Sequence, residues 1–426
     1  MRGLIKYFLI IFFIANASSQ DKLFTIIDPD QTGIHFSNDL IDTKENNVFL
    51  YANFYGGAGV GVGDFDNDGL DDLFFAGNLV DDKIYKNLGN LKFQDKTPNS
   101  GIINDSSWST GVTVADVNND GLLDIYVSCE LYDDQPKLRT NKLYINKGNF
   151  KFDELAAKWN VDVDRRTRHA VFFDYNKDGL LDLYLLNHPP NTGNFSPFLG
   201  TDMKLPEYNL QLFENKEGYF KDVTAKAGLD RSGFPNAAVI GDFNKDGWPD
   251  IYVANDFEAP DFLYYNNQDG TFDYKTESSL RHTSFYSMGV DAADINNDSH
   301  LDLMVLDMTA EDNFRLKSNM SGMNPDSFWK VVNDGGHYQY MFNTLQLNNG
   351  NETFSDIAQF TQTAATDWSW ASLVADFDND GNKDIYITNG LLRDIRNTDA
   401  DKKISDLVSK TFNKYIIENP DNSNVN

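Results

Sequence analysis

Six short loops of this chain carry the residue types that bind a hard metal ion. In the first, Asp64-Phe-Asp-Asn-Asp-Gly-Leu-Asp-Asp72, acidic side chains occupy positions 1, 3, 5 and 9. Calcium takes six to eight oxygen ligands at about 2.3–2.6 Å, and a glycine at position 6 lets the backbone turn sharply. Magnesium fits less well, since it demands near-octahedral geometry and retains its waters. The spacing therefore predicts a calcium site in this loop.

The same nine-residue pattern recurs five more times, so we expect up to six calcium ions. The predicted ligands are Asp64, Asp66, Asp68, Asp72, Asp116, Asn118, Asp120, Asp124, Asp174, Asn176, Asp178, Asp182, Asp242, Asn244, Asp246, Asp250, Asp294, Asn296, Asp298, Asp302, Asp376, Asp378, Asp380 and Asp384. The backbone carbonyl at position 7, Leu70 in the first loop, is predicted as a further ligand. The fifth loop has Ser299 at position 6, where a positive φ is unfavourable for serine, so the site at 294–302 is predicted to be weak or empty.

These loops differ from EF-hands at position 12. An EF-hand needs a bidentate glutamate there and a helix on each side. The six loops carry apolar residues at that position, namely Phe75, Val127, Leu185, Val253, Val305 and Ile387. Around the second loop, Ile125 and Val127 fall on one face of an extended segment. Each loop is therefore placed between two β-strands.

Around each loop the sequence repeats a fixed order of short segments. A strand rich in small residues precedes the loop and an apolar strand follows it, as in Gly57–Gly63 and Asp250–Asn255. A third strand ends in Asn and Gly, as in Lys142-Leu-Tyr-Ile-Asn-Lys-Gly148, and this pair marks a hairpin into a fourth strand. Four short antiparallel strands per unit, repeated around a ring, are typical of a β-propeller, whereas a stacked β-helix needs shorter rungs of near-constant length.

This arrangement resembles the FG-GAP (VCBS-type) repeats, which form the blades of the integrin α-subunit head and of many secreted bacterial propellers. The resemblance rests on the Phe-Asn/Asp-x-Asp-Gly loops followed by Asp-Ile/Leu-Tyr, and it runs from about Phe24 to Gly390. The opening Phe24-Thr-Ile-Ile-Asp28 is similar to secreted bacterial proteins that carry an ASPIC/UnbV module after the propeller, although no such module is seen in this sequence. The resemblance implies a toroid with calcium between the first two strands of a blade, and a ligand-binding rather than a catalytic role.

The predicted fold is all-β: a propeller of about six four-stranded antiparallel blades, or seven with one incomplete, followed by a short C-terminal helix. The sixth unit lacks its third strand, and Asp399–Ile417 has the apolar spacing of an amphipathic helix. Either Leu23–Ile27 closes this blade from the other end of the chain, or the sequence is a fragment of a longer seven-bladed protein. The predicted domains are a signal peptide (1–19), the repeat propeller (20–392) and a helical, polar tail (393–426).

The N-terminus and the charge indicate a secreted or extracytoplasmic protein without a transmembrane segment in its mature form. Arg2 and Lys6 precede nine apolar residues, too few to cross a bilayer, and a small-residue cleavage site ends at Ala17. With a formal net charge of −29, the chain lacks the basic face that nucleic acid or an anionic membrane requires. The single cysteine, Cys129, can form no intramolecular disulfide, so bound calcium is expected to provide the stabilisation.

Two classes of function fit these features. The favoured one is a calcium-binding recognition or adhesion protein, not an enzyme, that binds an unidentified protein or carbohydrate through two insertions, roughly Thr309–His337 and Pro189–Pro206. These insertions fit surface decoration equally well. The alternative is a propeller hydrolase or lyase of polysaccharides, although no HExxH motif, nucleophile elbow or glycine-rich phosphate loop is found in the sequence. Its candidate site comprises the basic residues that could meet at the ring axis: His169, His188, His282, His337, Arg165, Arg166 and Arg168.

Overall fold

A computed structural model describes residues 23–48, 50–51, 53–131, 135–189, 204–257, 259–318, 323–390 and 397–418. The predicted signal peptide and most of the insertion after Pro189 lie outside these residues. The described part is built almost entirely from short antiparallel strands, as the repeats predict.

Five four-stranded sheets follow one another along the chain, and in each the strands pair in sequence order. The strands are β1–β4 (Val60–Gly63, Asp72–Phe75, Lys83–Asn87, Phe93–Asp95), β5–β8 (Trp108–Ala115, Asp124–Glu130, Lys142–Asn146, Phe152–Glu154), β9–β12 (Arg166–Phe173, Asp182–His188, Gln211–Asn215, Phe220–Asp222), β13–β16 (Pro235–Gly241, Asp250–Asn255, Phe262–Asn266, Phe272–Tyr274) and, for the fifth sheet, β18, β19, β21 and β22 (Val290–Ala293, Asp302–Val305, Thr344–Asn348, Phe354–Asp356). We call these sheets blades 1 to 5. This confirms the predicted four-stranded repeat.

Two smaller sheets complete the strand inventory of the described residues. β17 (Thr283–Ser284) and β20 (Gln339–Tyr340) form a short parallel pair at the insertion of blade 5. β23 (Ser369–Ala375) and β24 (Asp384–Asn389) form a two-stranded antiparallel sheet, which we call blade 6. Blade 6 is therefore incomplete, as the sequence predicts.

The first strands of the blades contact one another in the order β1, β5, β9, β13, β18 and β23, which is the arrangement of a propeller. Among the described residues no comparable contact joins β23 back to β1. β1 needs glycine where it approaches β5, because a Cβ on Gly61 would lie 2.7 Å from Val112 Cγ1. The small residues of the first strand thus allow close contact between neighbouring blades.

The hydrophobic core lies between neighbouring blades. Phe74 of β2, Ile125 of β6 and Tyr144 of β7 belong to one buried cluster at the junction of blades 1 and 2, and similar clusters fill the next four junctions. Burying one such large side chain contributes about 1.5–3 kcal/mol. The apolar residues that alternate along each second strand therefore hold adjacent blades together.

Apart from the C-terminal helix, the helices of the described residues are short. Single turns follow the fourth strands of blades 2 to 5, and α1 precedes β1: α1 (Pro29–Thr32), α2 (Ala156–Trp159), α3 (Thr224–Ala227), α4 (Thr276–Ser279) and α7 (Ala358–Thr361). The insertion of blade 5 contains α5 (Asn313–Ser318) and α6 (Pro325–Asn333). The predicted C-terminal helix is present as α8 (Thr398–Glu418). In the described part of the chain, none of the helices combines the length and the apolar composition that a membrane span requires.

The predicted closure of blade 6 by Leu23–Ile27 is wrong in its detail. These residues form no strand, and β24 pairs with β23 alone among the described residues. The segment nevertheless lies against blade 6, where the Phe24 ring is 5.6 Å from that of Phe377 and 5.3 Å from that of Tyr386. In a complete blade the fourth strand pairs with the third, not with the second. Blade 6 has no third strand among the described residues, so a fourth strand would have no partner there.

Candidate metal centre

The six acidic loops lie at one end of the sheets. Each joins the first and second strands of its blade, and the Asn-Gly hairpins between third and fourth strands turn back at the same end. We call this end the loop face. The described connections between second and third strands, including the long insertion of blade 5, lie at the opposite end, which we call the insertion face.

Position 1 of each loop holds the turn together through two backbone hydrogen bonds. In the first loop Asp64 Oδ1 accepts the N–H of Asp68 at 3.1 Å and Asp64 Oδ2 accepts the N–H of Gly69 at 2.7 Å. The fifth loop keeps this geometry, because the N–H of Ser299 donates to Asp294 Oδ2 at 2.7 Å with a φ of 69°. Serine thus adopts the left-handed conformation predicted to be unfavourable, and the turn itself is preserved.

In the first five loops the position 9 carboxylate joins the start of the loop to the third strand of the blade. Asp72 Oδ2 accepts the N–H of Phe65 at 2.9 Å, and Asp72 Oδ1 accepts the N–H of Asn87 from the third strand at 2.7 Å. Burial raises the pKa of this carboxyl to about 6, against the lowering effect of its hydrogen bonds. Burial likewise raises the pKa of the counterparts Asp124, Asp182 and Asp250 to about 7. Position 9 is therefore a structural carboxylate as well as a predicted ligand.

The predicted ligands converge most closely in the first and sixth loops. Asp64, Asp66 and Asp72 each place an oxygen within 4.8 Å of the others, and in the sixth loop Asp376, Asp378 and Asp380 do the same. The other four loops have asparagine at position 3, and no three carboxylates come as close there among the described residues. Their donor set is then two carboxylates, an amide oxygen and the position 9 carboxylate.

The first loop fits a calcium ion by two criteria. Two oxygens bound to one calcium at about 2.3–2.6 Å lie at most about 5 Å apart, and the three carboxylates meet this limit. Asp66 Oδ1 is buried without a hydrogen-bond partner among the described residues, which is costly for a carboxylate oxygen unless a cation satisfies it. All donors are oxygens, the ligand type that calcium prefers.

Sequence reasoning missed two charged residues beside the loops. Lys86 Nζ contacts the Asp66 carboxylate and lies 2.7 Å from Asp68 Oδ2, and these hydrogen bonds raise the pKa of Lys86. In blade 3 the equivalent residue is Glu214, whose Oε1 accepts from Asn176 Nδ2 at 3.3 Å. Both precede the asparagine that ends the third strand. That asparagine donates to the position 9 carboxylate. The residue directly before it in the sequence is therefore expected to place its side chain beside the loop.

The four histidines considered at the ring axis form two separate pairs. His169 on β9 and His188 on β10 lie on adjacent strands near the insertion face, where His188 pairs in register with Arg166. Burial, together with the charge of Arg168, lowers the pKa of His169 to about 4. His282 lies elsewhere, with its Nε2 3.1 Å from Asp356 Oδ2, and His337 is its neighbour. The expected convergence of all four histidines is therefore not present.

A buried ionic cluster does lie at the insertion face near His169. Glu130, 1% exposed at the end of β6, accepts from Arg168 Nη1 at 2.5 Å and from the hydroxyl of Tyr51. Glu130 Oε2 has no partner among the described residues. The Arg166 guanidinium lies 6.0 Å from the centre of the Tyr51 ring, whereas Arg165 donates to Asn209 and belongs to the wall of blade 3.

A cleft of about 550 Å³ lies between blades 4 and 5. Its walls are Glu277–Arg281 around α4, Gly336–Tyr338 at the end of the long insertion, and residues Asn349 and Thr353–Ser355 of the blade 5 hairpin. His337 is 9% exposed, and its Nε2 has no partner among the described residues, whereas Tyr338 is 41% exposed. The insertion thus contributes both a buried polar group and an exposed aromatic ring to this cleft.

The model of the FG-GAP-like repeat matches residues 64–127, 242–305 and 328–387. Three segments of the chain are therefore similar to the FG-GAP-like repeat. Cartilage acidic protein 1 of Xenopus tropicalis is 24% identical over 358 residues, a match that covers 78% of this chain and 48% of the relative. The chain thus spans about half the length of that curated relative.

Similar solved structures have low sequence identity to this propeller. An Agrocybe aegerita lectin that recognises non-reducing terminal N-acetylglucosamine is 16% identical, with 76% of this chain and 73% of the lectin covered and a TM-score of 0.43. The rhamnogalacturonan lyase of Bacillus licheniformis is 12% identical, with 78% and 55% covered and a TM-score of 0.39. The V. cholerae biofilm matrix protein Bap1 is 13% identical, with 70% and 38% covered and a TM-score of 0.35.

Proposed function

We propose that this protein is a secreted, calcium-stabilised propeller that binds a carbohydrate or protein ligand through the cleft between blades 4 and 5. The observation that carries the proposal is the recurrence of an oxygen-only donor set at the loop face of all six blades. The partnerless Asp66 Oδ1 and the close carboxylates of the first and sixth loops support it. The name of the curated relative, cartilage acidic protein 1, refers to cartilage and so supports an extracellular location.

In each loop the side chains at positions 1, 3, 5 and 9 and the carbonyl at position 7 would hold the ion. Bound calcium supplies positive charge that neutralises the carboxylates and links the two strands that flank the loop. The position 9 carboxylate keeps its two backbone hydrogen bonds and so connects the ligand set to the third strand, as Asp72 does to Asn87. Extracellular calcium modules of this kind bind at about 10⁻⁴–10⁻³ M.

The calcium part is tested by isothermal titration calorimetry on the full chain. We expect at least three sites, with Asp66→Ala removing one of them, because alanine leaves no oxygen at position 3. Asp71→Ala is the matched control, because Asp71 is the exposed residue directly before position 9 and lies outside the ligand set. Fewer than three sites, or equal losses in the two variants, would contradict the proposed donor set.

The ligand part points to the cleft beside the long insertion. Carbohydrates and peptides are recognised by an exposed aromatic surface combined with a few directed polar groups, and the cleft offers Tyr338, His337 and Asn349 in that combination. Its volume lies within the usual range of about 300–1,000 Å³ for ligand sites.

Arrays of polysaccharides and extracellular matrix proteins test this second part. For any ligand found, Tyr338→Ala should weaken binding at least about tenfold, since loss of a buried aromatic contact costs over 1 kcal/mol. Phe360→Ala is the control, because Phe360 is 89% exposed and does not line the cleft. Equal affinities of the two variants would place the ligand elsewhere, and the absence of any ligand on the arrays would refute ligand binding while leaving the calcium sites intact.

A polysaccharide hydrolase or lyase remains the second candidate, because Glu130 offers a buried carboxylate oxygen without a partner next to Arg168. Such a carboxyl can serve as a general acid or base where substrate reaches it. Incubation with a panel of neutral and acidic polysaccharides, followed by assays for reducing ends and unsaturated products, tests this function. Activity abolished by Glu130→Gln would support it, and lack of turnover on the panel would exclude it for those substrates.

A further inference from the structure

The outer edge of β24 lacks the neighbour that every other second strand has. In blades 1 to 5 the second strand pairs with the first strand on one side and with the third on the other, as β6 does with β5 and β7. β24 pairs with β23 alone in the part of the chain that the structure describes. Its segment Ile385–Ile387 corresponds to Ile125–Val127, which pairs with the third strand in blade 2. The main-chain groups on this edge are therefore available for a further strand.

A second acceptor without its usual donor, the carboxylate of Asp384, lies at the start of the same strand. In blades 1 to 5 one oxygen of the position 9 carboxylate accepts the N–H of the asparagine that ends the third strand. These hydrogen bonds, at 2.7–2.9 Å, run from Asn87 to Asp72, Asn146 to Asp124, Asn215 to Asp182, Asn266 to Asp250 and Asn348 to Asp302. Asp384 accepts only the N–H of Phe377, through Oδ2, among the described residues. Its Oδ1 is left without the donor that its five counterparts have.

A third acceptor without its usual donor, the carbonyl of Ile295, lies on the neighbouring blade. The side-chain amide of the same asparagine also reaches back to the preceding loop and donates to the carbonyl at position 2. The four such bonds, at 2.8–2.9 Å, join Asn146 to Phe65, Asn215 to Val117, Asn266 to Tyr175 and Asn348 to Phe243. At the junction of blades 5 and 6 the equivalent acceptor is the carbonyl of Ile295, and no side-chain amide among the described residues reaches it.

One added strand would pair with the edge of β24 and also supply donors to both unpaired acceptors. Its backbone would pair with Ile385–Ile387, the N–H of its terminal asparagine would reach Asp384 Oδ1, and the asparagine amide would reach the carbonyl of Ile295. The third strands of the protein itself give the required sequence, in which a leucine or isoleucine stands three residues before the asparagine, as in Lys142-Leu-Tyr-Ile-Asn146. The edge thus specifies an occupant as well as being open.

We propose that the free edge of β24 is a docking site for an extended strand of a partner polypeptide that carries this Leu/Ile-x-x-Asn sequence. The binding mode is β-strand addition, in which main-chain hydrogen bonds give affinity and one side chain sets the register. A second copy of this protein is not the occupant, because its five third strands are already paired within their own blades. The inference does not depend on the cleft between blades 4 and 5, and its tests are made at saturating calcium because Asp384 is also a predicted ligand of the sixth loop.

A peptide copied from β7 provides the probe. Fluorescein-labelled Lys-Leu-Tyr-Ile-Asn-Lys-Gly, titrated with the full chain and followed by fluorescence anisotropy, should bind saturably. The same peptide with alanine in place of asparagine should bind at least about tenfold more weakly. It lacks the hydrogen bond from the side-chain amide to the Ile295 carbonyl and leaves that acceptor unsatisfied. Hydrogen–deuterium exchange should show that the first peptide slows exchange across residues 384–389.

Matched protein variants test the position of the peptide. Asp384→Asn should weaken peptide binding about tenfold, since it replaces a charged acceptor by a neutral one. Asp302→Asn makes the same change in blade 5, where Asn348 already occupies the acceptor, and should leave the peptide affinity unchanged. Circular dichroism checks that both variants fold. Because the two peptides are compared on the unmodified protein, the test stands even if a variant fails to fold.

Four results would overturn the proposal. They are no saturable binding of the asparagine peptide, equal binding of the alanine peptide, protection from exchange away from residues 384–389, and prior protection, in the protein alone, of those N–H groups of residues 384–389 that face away from β23. If that prior protection came with a dimer in light scattering, a second copy would be the occupant. If it came with a monomer, the protein would cover the edge with its own chain.

Discussion

In blades 2 to 5 the asparagine that ends the third strand joins adjacent blades, and its removal should cost more there than in blade 1. Asn215, 1% exposed, donates from Nδ2 to the carbonyl of Val117 in blade 2 at 2.9 Å and to that of Leu181 at 3.1 Å. Its Oδ1 accepts the N–H of Glu217 at 3.1 Å. Asn215→Ala removes all three side-chain hydrogen bonds and leaves buried carbonyl groups without a donor.

The expected cost follows from these contacts. A buried acceptor left unsatisfied costs about 1–3 kcal/mol, and an ordinary hydrogen bond contributes about 0.5–1.5 kcal/mol. Two orphaned carbonyls and one lost turn hydrogen bond together give about 2.5–7.5 kcal/mol. Asn87→Ala is the matched control, because Asn87 Nδ2 donates to the carbonyl of Asp71 in its own blade and reaches no other blade. We expect that variant to cost about 1–2 kcal/mol.

Urea unfolding, followed by tryptophan fluorescence at saturating calcium, measures both free energies. Asn215→Ala should unfold at a clearly lower urea concentration than Asn87→Ala, with similar slopes of the free energy against urea. Equal midpoints for the two variants would show that the bond between blades contributes nothing beyond the local turn. A changed slope in one variant would mean that unfolding no longer exposes the same surface, and a double mutant of Asn215 with Asn87 then separates the two effects by their additivity.

Three further predictions concern charge and burial. Lys86→Gln should tighten calcium binding to the first loop about tenfold or more, because the ammonium repels the ion and occupies its ligands, whereas Lys83→Gln should not; calorimetry decides this. Burial raises the pKa of Asp261 to about 7, so the folded state holds the carboxyl proton more tightly than the unfolded state. The free energy of unfolding should therefore fall by a few kcal/mol as the pH rises from about 4 to about 7. Urea unfolding at several pH values should show that Asp261→Asn makes this dependence less steep. Burial raises the pKa of the Cys129 thiol to about 12, so a thiol reagent should react with it only after a chelator or denaturant has opened blade 2, and rapid reaction in calcium would contradict the described core.

The loops and the strand order could be predicted because both are local. The turn is formed by hydrogen bonds among residues at most a few positions apart, such as Asp64 with Gly69, so the nine-residue pattern contains its own geometry. The alternation of apolar residues around Val127 likewise predicts a strand without reference to its neighbours. The fold class and the repeat follow from these two signals.

The rest depends on which segments meet in space. Leu23–Ile27 has the composition of a strand, and its Phe24 packs against blade 6, but the segment does not pair with β24, and the sequence pattern does not show which segments pair. The ion pairs of Lys86 and the division of His169 and His282 between two regions also depend on the register between strands. Position 9 illustrates the limit most clearly, because Asp72 reads as a ligand in the sequence and is in addition a buried acceptor of two backbone N–H groups.

The hydrogen bonds of position 9 also connect one acidic loop to the next. Asp72 accepts the N–H of Phe65, the carbonyl of Phe65 accepts the amide of Asn146, and the N–H of Asn146 donates to Asp124. The same three-step link recurs through blades 3, 4 and 5 and ends at Ile295, where no asparagine among the described residues continues it. Because hydrogen bonds in series polarise one another, a change of charge at one loop should alter the hydrogen bonds at the junctions on both sides of it. The sixth loop lies outside this series, so its ion would stabilise blade 6 alone until a strand supplies the missing asparagine.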